Sequence, residues 1–148
     1  MRPLLKCLHQ LGVIGFMGAL AAQLVVAAGD AATQLPWRHA AVQISGWLVM
    51  PALLLATLTG LLLMMVHPPF MAARWVWAKA LLGIVVGAVL LFGVQTAVRH
   101  ALLLAGTDDA ALQQALRTEW VGGWLALGTS LLAVALAVWR PRLGQGAD

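Results

Sequence analysis

The chain has 148 residues, 62% of them hydrophobic and only 9% charged, with a mean hydropathy of +0.91. A soluble domain carries about 25% charged residues and about 45–50% apolar ones, so these proportions exclude a fold surrounded by water: too few charges exist to cover its surface. The formal charge of +4 is spread over nine Lys and Arg at segment ends, which is a membrane-topology pattern and excludes nucleic acid as a partner.

A membrane-crossing helix needs roughly 20 predominantly apolar residues. Charge-free windows of about that size recur along the chain: 23 residues between Lys6 and Asp30, a longer window between Arg38 and Arg74, 19 residues between Lys79 and Arg99, and 20 between Glu119 and Arg140. They predict four spans at 5–28, 42–66, 76–99 and 119–139 in one all-α domain covering 1–148. Runs such as Leu53-Leu54-Leu55 lack the alternation of a membrane strand. The first window has the basic start of a signal peptide, but its apolar stretch exceeds the ~7–15 residues of a signal core, so it is read as a retained span.

Pro36-Trp37 opens the approach to the second span and Pro68-Pro69 ends it, because proline lacks a backbone donor and disfavours helix in the residue before it. Pro51, inside that span, is expected to kink it, the freed carbonyl being satisfied by neighbours. Between the third and fourth spans the segment from Ala105 to Thr118 predicts a separate short surface helix at 108–116. Thr107 would be its N-cap, Asp108 and Asp109 would suit its positive start, and Leu112, Ala115 and Leu116 would share one side. Short connections predict an antiparallel four-helix bundle. Arg2, Lys6, Arg74, Lys79, Arg140 and Arg142 fall at one end of the spans, Arg38, Arg99 and Arg117 at the other. Positive charge accumulates on the cytoplasmic side, which places both termini of this multi-pass protein in the cytoplasm.

Helical periodicity then selects faces. On the first span His9, Gly12, Phe16, Ala19, Gln23 and Ala27 form one stripe, expected to face the bundle interior because it carries the polar and several small side chains. On the third, Lys79, Gly83 and Gly87 share a face, and Gly83-Ile84-Val85-Val86-Gly87 matches the small-xxx-small pattern of helix contacts. On the fourth, Trp120, Trp124, Gly128, Leu131 and Ala135 form a stripe, with Trp120 and Trp139 placed as interfacial anchors. Gly12, Gly83, Gly87 and Gly128 are the packing candidates.

Ionisable groups at membrane depth are functional candidates by default. The four histidines sort into a pair near the termini, His9 with His67, and a pair at the opposite side, His39 with His100. Imidazoles on neighbouring helices suit the axial positions of a haem iron, whose flat macrocycle fits between helices of a bundle. Lys79, Arg74 or Arg99 would face its propionates. The plainer reading makes His67 a loop residue, His39 an interfacial one and His100 a side chain reaching the headgroups, leaving His9 the first candidate. Copper would draw on His with Met17, Met50, Met64, Met65 or Met71. Zinc is less suited, because no His-x-x-x-His or Cys/His cluster occurs. Cys7, the one cysteine, permits no intrachain disulfide and reads as a small apolar filler.

The start Lys6-Cys7-Leu8-His9-Gln10-Leu11-Gly12 resembles the K-x-x-H-x-x-G opening of a broad group of small bacterial membrane proteins. That group includes HemJ-type protoporphyrinogen oxidases, CopD-like copper-resistance domains and a large uncharacterised set. Trp75 to Leu82 is similar to the W-x-x-x-K-x-x-L that begins the third helix in the same group. The resemblance implies a four-helix protein associated with haem b, with His9 matching the first-helix histidine and Lys79 the third-helix lysine. HemJ-like proteins carry a further histidine where this chain has Val89 and Leu90, so the uncharacterised branch is the nearer match. Three functions follow as expectations. The first is a haem b redox protein passing electrons between quinone or a protein partner and an acceptor. The second is a cofactor-free small subunit or assembly factor of a larger membrane complex, and the third is copper handling.

Overall fold

The computed structural model describes residues 2–28, 34–66 and 74–139, with the backbone alone at 2, 74 and 75. All regular structure among them is helical. Helix α1 is Arg2–Val26; α2 runs over Leu35–Val66; α3 covers 74–104, built from Arg74–Ala88, Val89–Val94 and Gln95–Leu104; α4 is Asp109–Trp139. Each is long and apolar enough to cross a membrane. Their outer surfaces suit hydrocarbon: Ile14, Ile84, Phe92 and Val138 are each more than 60% exposed, an arrangement that water would penalise at every one of these side chains.

Three of the four helices outrun the predicted spans. At 1.5 Å per residue the 31 residues of α4 reach about 46 Å, against roughly 30 Å of hydrocarbon. The surplus turns sit at one end of the fold, where α2 carries Arg38, His39 and Gln43, α3 carries Arg99 and His100, and α4 carries Asp109, Gln113, Gln114 and Arg117. We call this the Arg38 end, and the opposite one the His9 end. The separate surface helix expected at 108–116 does not form. Those residues are the first turns of α4, because Arg117-Thr118-Glu119 ends a hydropathy window without breaking a helix. Leu112 and Leu116 do share a side, and they bury against Ala101 of α3 with Ala115 packed beside them.

The cap of α4 is Asp108 and not Thr107: the Ala111 amide donates to Asp108 Oδ1 at 3.0 Å. Thr107 instead closes α3, its hydroxyl donating to the Leu104 carbonyl at 3.0 Å. Between them Gly106 turns the chain at φ +82°, a left-handed conformation open to glycine without steric cost. At the start of α2, Pro36 occupies the first turn, where its missing N–H costs nothing.

Pro51 distorts α2 in a defined way. Its ring would press on the carbonyl four residues earlier, at Trp47. That turn is widened into a π-helix over Ser45–Val49, with the Met50 amide donating to the Ser45 carbonyl. A second π-turn, Val89–Val94, lies in α3, where the Gln95 amide donates to Leu90. The Thr96 hydroxyl donates to the Phe92 and Gly93 carbonyls of that turn at 2.8 and 2.9 Å. The two widened segments are tied together by Ser45 Oγ donating to Gln95 Oε1 at 2.7 Å. Such turns gather at functional sites.

The main core joins Phe16, Ala19 and Leu20 of α1 to Ala41 and Val49 of α2, Val86, Leu90, Val94 and Val98 of α3, and Ala126 of α4. The α1 stripe therefore faces inward as expected: Phe16, Ala19, Gln23 and Ala27 are buried, and His9 is half-buried. The α4 stripe does not. Trp120, Trp124, Gly128, Leu131 and Ala135 are all exposed, while Leu112, Leu116, Glu119, Gly123 and Ala126 are buried. Trp120 and Trp124 stack edge to face at 5.7 Å on the outer surface.

Candidate functional site

Besides the Ser45–Gln95 tie, the described residues form two polar sites between the apolar helices, one toward each end. The first is built on a close approach of two helices. A Cβ on Gly12 of α1 would stand 2.7 Å from the Ala56 nitrogen of α2 and 2.9 Å from its Cα, so the two backbones touch where glycine permits it. Gly15 meets Ala52 in the same way at an ordinary 3.6 Å, so the helices run in opposite directions here. One turn before Gly12 this approach carries His9 into α2. Its Nδ1 donates to the Ala56 carbonyl at 2.9 Å. Because a carbonyl only accepts, Nδ1 holds the proton and a neutral ring keeps its lone pair on Nε2. The Thr59 hydroxyl, donating to the Leu55 carbonyl, stands 3.3 Å from Nδ1.

Gly60 lies against the imidazole: a Cβ there would come within 3.2 Å of His9 Cε1 and 3.5 Å of Nδ1. Gly60→Ala is therefore expected to push the ring by a few tenths of an ångström and lengthen its bond to Ala56. The shift is read as a changed His9 Nδ1–H signal in the nitrogen NMR spectrum, and an unchanged signal would mean the ring does not rest on Gly60. Lys79 of α3, half-buried, lies within electrostatic reach of the same ring. The two residues lie 70 positions apart in the chain.

The other candidates are placed elsewhere. His39 and His100 are exposed at the Arg38 end. His39 is 17 residues before Ala56 on α2, roughly 25 Å along the axis, so one iron cannot take both His9 and His39. His100, 21 residues beyond Lys79 on α3, is as remote. It lines an open cleft of about 320 Å³ between α3 and α4 with Phe92, Thr96, Gln114 and Thr118. His67 and Met71 lie outside the described residues. Met65 is 72% exposed, and no group of three or more His, Cys, Asp or Glu suited to a metal ion occurs among the described residues. Of the glycines named for packing, only Gly12 meets a neighbouring helix. A Cβ at Gly83, Gly87 or Gly128 would meet nothing within 4 Å.

Arg38 and Glu119, which the sequence marks only as span boundaries, form the second site. Arg38 Nη1 donates to Glu119 Oε2 at 2.6 Å, with the two side chains 0% and 1% exposed. The pair joins α2 to α4 across 81 positions. Gln23 of α1 is buried beside the same end at 2% exposure. Helix α1 reaches α4 there because Gly123 is bare: a Cβ on it would lie 2.7 Å from Leu24 Cδ2. Gly122 in turn admits Val94 of α3 at 2.7 Å from its would-be Cβ. Signals for this site existed in the sequence, namely a glutamine on the inward stripe of α1 and opposite charges at the same end of two spans. Charge counting treats such residues as span boundaries.

No protein-family model, curated protein or solved structure matches the chain. Its class rests on its own residues: an all-helical protein with four helices able to span a membrane and polar sites enclosed between them.

Proposed function

We propose that the protein is a haem b-binding redox protein of a bacterial inner membrane, an antiparallel four-helix bundle with both termini in the cytoplasm, and that His9 would hold the haem iron. The observation that carries this reading is the hydrogen bond from His9 Nδ1 to the Ala56 carbonyl. Metal-bound histidines regularly donate their other nitrogen to a carbonyl or carboxylate, which fixes the ring and leaves the opposite lone pair for the metal. The donor set fits in three respects: Nε2 is the free nitrogen, the ring is clamped against Gly60 and Thr59, and Lys79 supplies a cation for a propionate. His67, which the sequence pairs with His9 and which lies outside the described residues, would be the second ligand. Haem would supply one-electron chemistry, with quinone or a membrane protein as the exchanging partner. The Ala56 carbonyl and Gly60 orient the imidazole.

Purified from a haem-sufficient host, the wild-type protein is expected to show a Soret band. His9→Ala is expected to lose most of it, and Lys79→Met to weaken haem retention while keeping the fold. A wild-type preparation without a Soret band, or a His9→Ala band equal to it, overturns the reading.

One observation favours a second reading, a cofactor-free subunit. Gly83, Gly87 and Gly128 present bare backbone to open space, as an interface with another membrane helix would require. Gly83→Leu would then release a stoichiometric partner without altering the isolated chain's stability. Copper handling has no comparable support.

A further inference from the structure

On the outer surface of the Arg38 end, α3 and α4 flank the open cleft of about 320 Å³ that His100 lines with Phe92, Gly93, Thr96, Gln114 and Thr118. The antiparallel register of the two helices sets its levels. Val94 lies against Gly122, and Ala101 clusters with Leu112 and Leu116. Thr96 and Thr118 therefore share one level, and His100 and Gln114 stand about one turn further out. About 30 Å of hydrocarbon takes roughly 20 residues of helix. Counted from Trp139, exposed at the His9 end, it ends on α4 near Trp120, a second tryptophan suited to the interface. Counted from Lys79, it ends on α3 near Arg99. The cleft thus straddles the boundary: Phe92 and Gly93 lie on the hydrocarbon side, the two threonines near the edge, and His100 and Gln114 on the headgroup side.

The chemistry of the lining is one-sided. The Thr96 hydroxyl donates to the Phe92 and Gly93 carbonyls, and the Thr118 hydroxyl to the Gln114 carbonyl at 3.0 Å, so neither proton is left for a ligand. The side-chain donors that remain are the His100 ring N–H and the Gln114 amide N–H. Exposed Arg99 and Arg117 adjoin this level. Glu119 is held by Arg38, and exposed Asp108 and Asp109 lie more than a turn beyond Gln114.

We propose that this cleft holds a phospholipid of the surrounding bilayer, its phosphodiester accepting from His100 and Gln114 and the start of an acyl chain lying along Phe92 and Gly93. A phosphodiester only accepts, it carries the charge that Arg99 and Arg117 oppose, and it resides at this depth of the leaflet. The cleft has room for the polar backbone of the lipid, and its open side lets the chains run on into the bilayer. The proposal rests on the helices crossing a bilayer and not on haem, so the Soret band does not bear on it.

The test uses the full chain, labelled with ¹⁵N at histidine, in bilayers of phosphatidylcholine and phosphatidylglycerol in phosphate-free buffer, where all phosphorus belongs to lipid. Phosphorus–nitrogen recoupling in solid-state NMR reports a held lipid, because freely diffusing lipids average the coupling away. His39 is the control. It is exposed and lies six residues before Ser45, as His100 lies five beyond Gln95; Ser45 and Gln95 are bonded to each other, so the two histidines sit at nearly the same depth. The His100 ring is expected to lose several-fold more signal to lipid phosphorus than the His39 ring. Gln114→Leu, at an exposed position, is expected to abolish the difference. Equal losses at the two histidines, a His100 signal untouched by phosphorus, or a difference that survives Gln114→Leu overturns the proposal.

Discussion

Arg38→Leu is expected to be the most damaging single substitution at the Arg38 end, lowering stability by about 3–5 kcal/mol, the usual cost of removing one partner from a buried ion pair. The loss comes mainly from what remains. Glu119 is 1% exposed and Arg38 Nη1 is its one protein donor contact, at 2.6 Å, so the carboxylate would be left charged between apolar helices. Glu119→Leu leaves the guanidinium in the same position and should cost a similar amount. The double variant Arg38→Leu/Glu119→Leu removes both charges and is expected to return near wild-type stability, because the Coulombic gain of a buried pair roughly offsets its desolvation. Arg38→Lys should recover only part of the loss, since a shorter point charge cannot reproduce the guanidinium geometry. Reversible unfolding in mixed micelles would give the four corners of the cycle. Equal stability of Arg38→Leu and wild type would mean that the pair is solvated and contributes nothing.

That pair also explains where sequence reasoning stopped. Hydropathy made four spans legible, because a long charge-free window has few other physical meanings. The inward stripe of α1 was legible too, since polar His9 and Gln23 share it with small residues and a membrane helix gains by turning them away from lipid. Helix ends were not. A charge ends a hydropathy window, yet Arg38, Arg99 and Arg117 all sit inside continuous helices, because none of them breaks the backbone hydrogen-bond ladder. The buried face of α4 is not legible in the sequence for a related reason. Glu119 and Trp120 differ by about 100° around the axis, and periodicity alone scores the tryptophan face as the apolar one. The partner on α2 decides the matter by drawing Glu119 inward, and a pairing across 81 positions is a tertiary fact.

The glycines carry the same lesson at finer scale. Gly83-xxx-Gly87 has the spacing of a helix contact but faces open space, whereas Gly122 and Gly123 have no such spacing and accept Val94 and Leu24. A small residue permits close approach without saying from which helix it will come. Pro51 shows the converse case. A distortion was predictable from its missing donor, but its π-helical form depended on the wider turn at Ser45–Val49 being tied to Gln95.

Gly12→Leu is expected to part α1 from α2 and to take His9 with it. Even the Cβ of an alanine would stand 2.7, 2.9 and 3.1 Å from the nitrogen, Cα and Cβ of Ala56. Two of these are backbone atoms that cannot rotate aside, so one helix must translate. Gly12→Ala should therefore cost about 1–3 kcal/mol, the usual penalty for overpacking, although alanine favours the helix itself by about 1 kcal/mol. A leucine adds three further carbons to the same contact and should cost more. Neighbouring positions supply internal controls: Gly15→Ala meets Ala52 at an ordinary 3.6 Å, and Gly18→Ala meets nothing within 4 Å, so both should be neutral or slightly stabilising. His9 sits one turn from Gly12 and its bond to the Ala56 carbonyl depends on that approach. The His9 Nδ1–H signal should shift in Gly12→Ala and stay in place in Gly15→Ala and Gly18→Ala, and haem retention should fall in the same order. If Gly12→Ala proved as stable as Gly15→Ala, with the His9 signal unmoved, the close α1–α2 contact that positions the imidazole would be refuted.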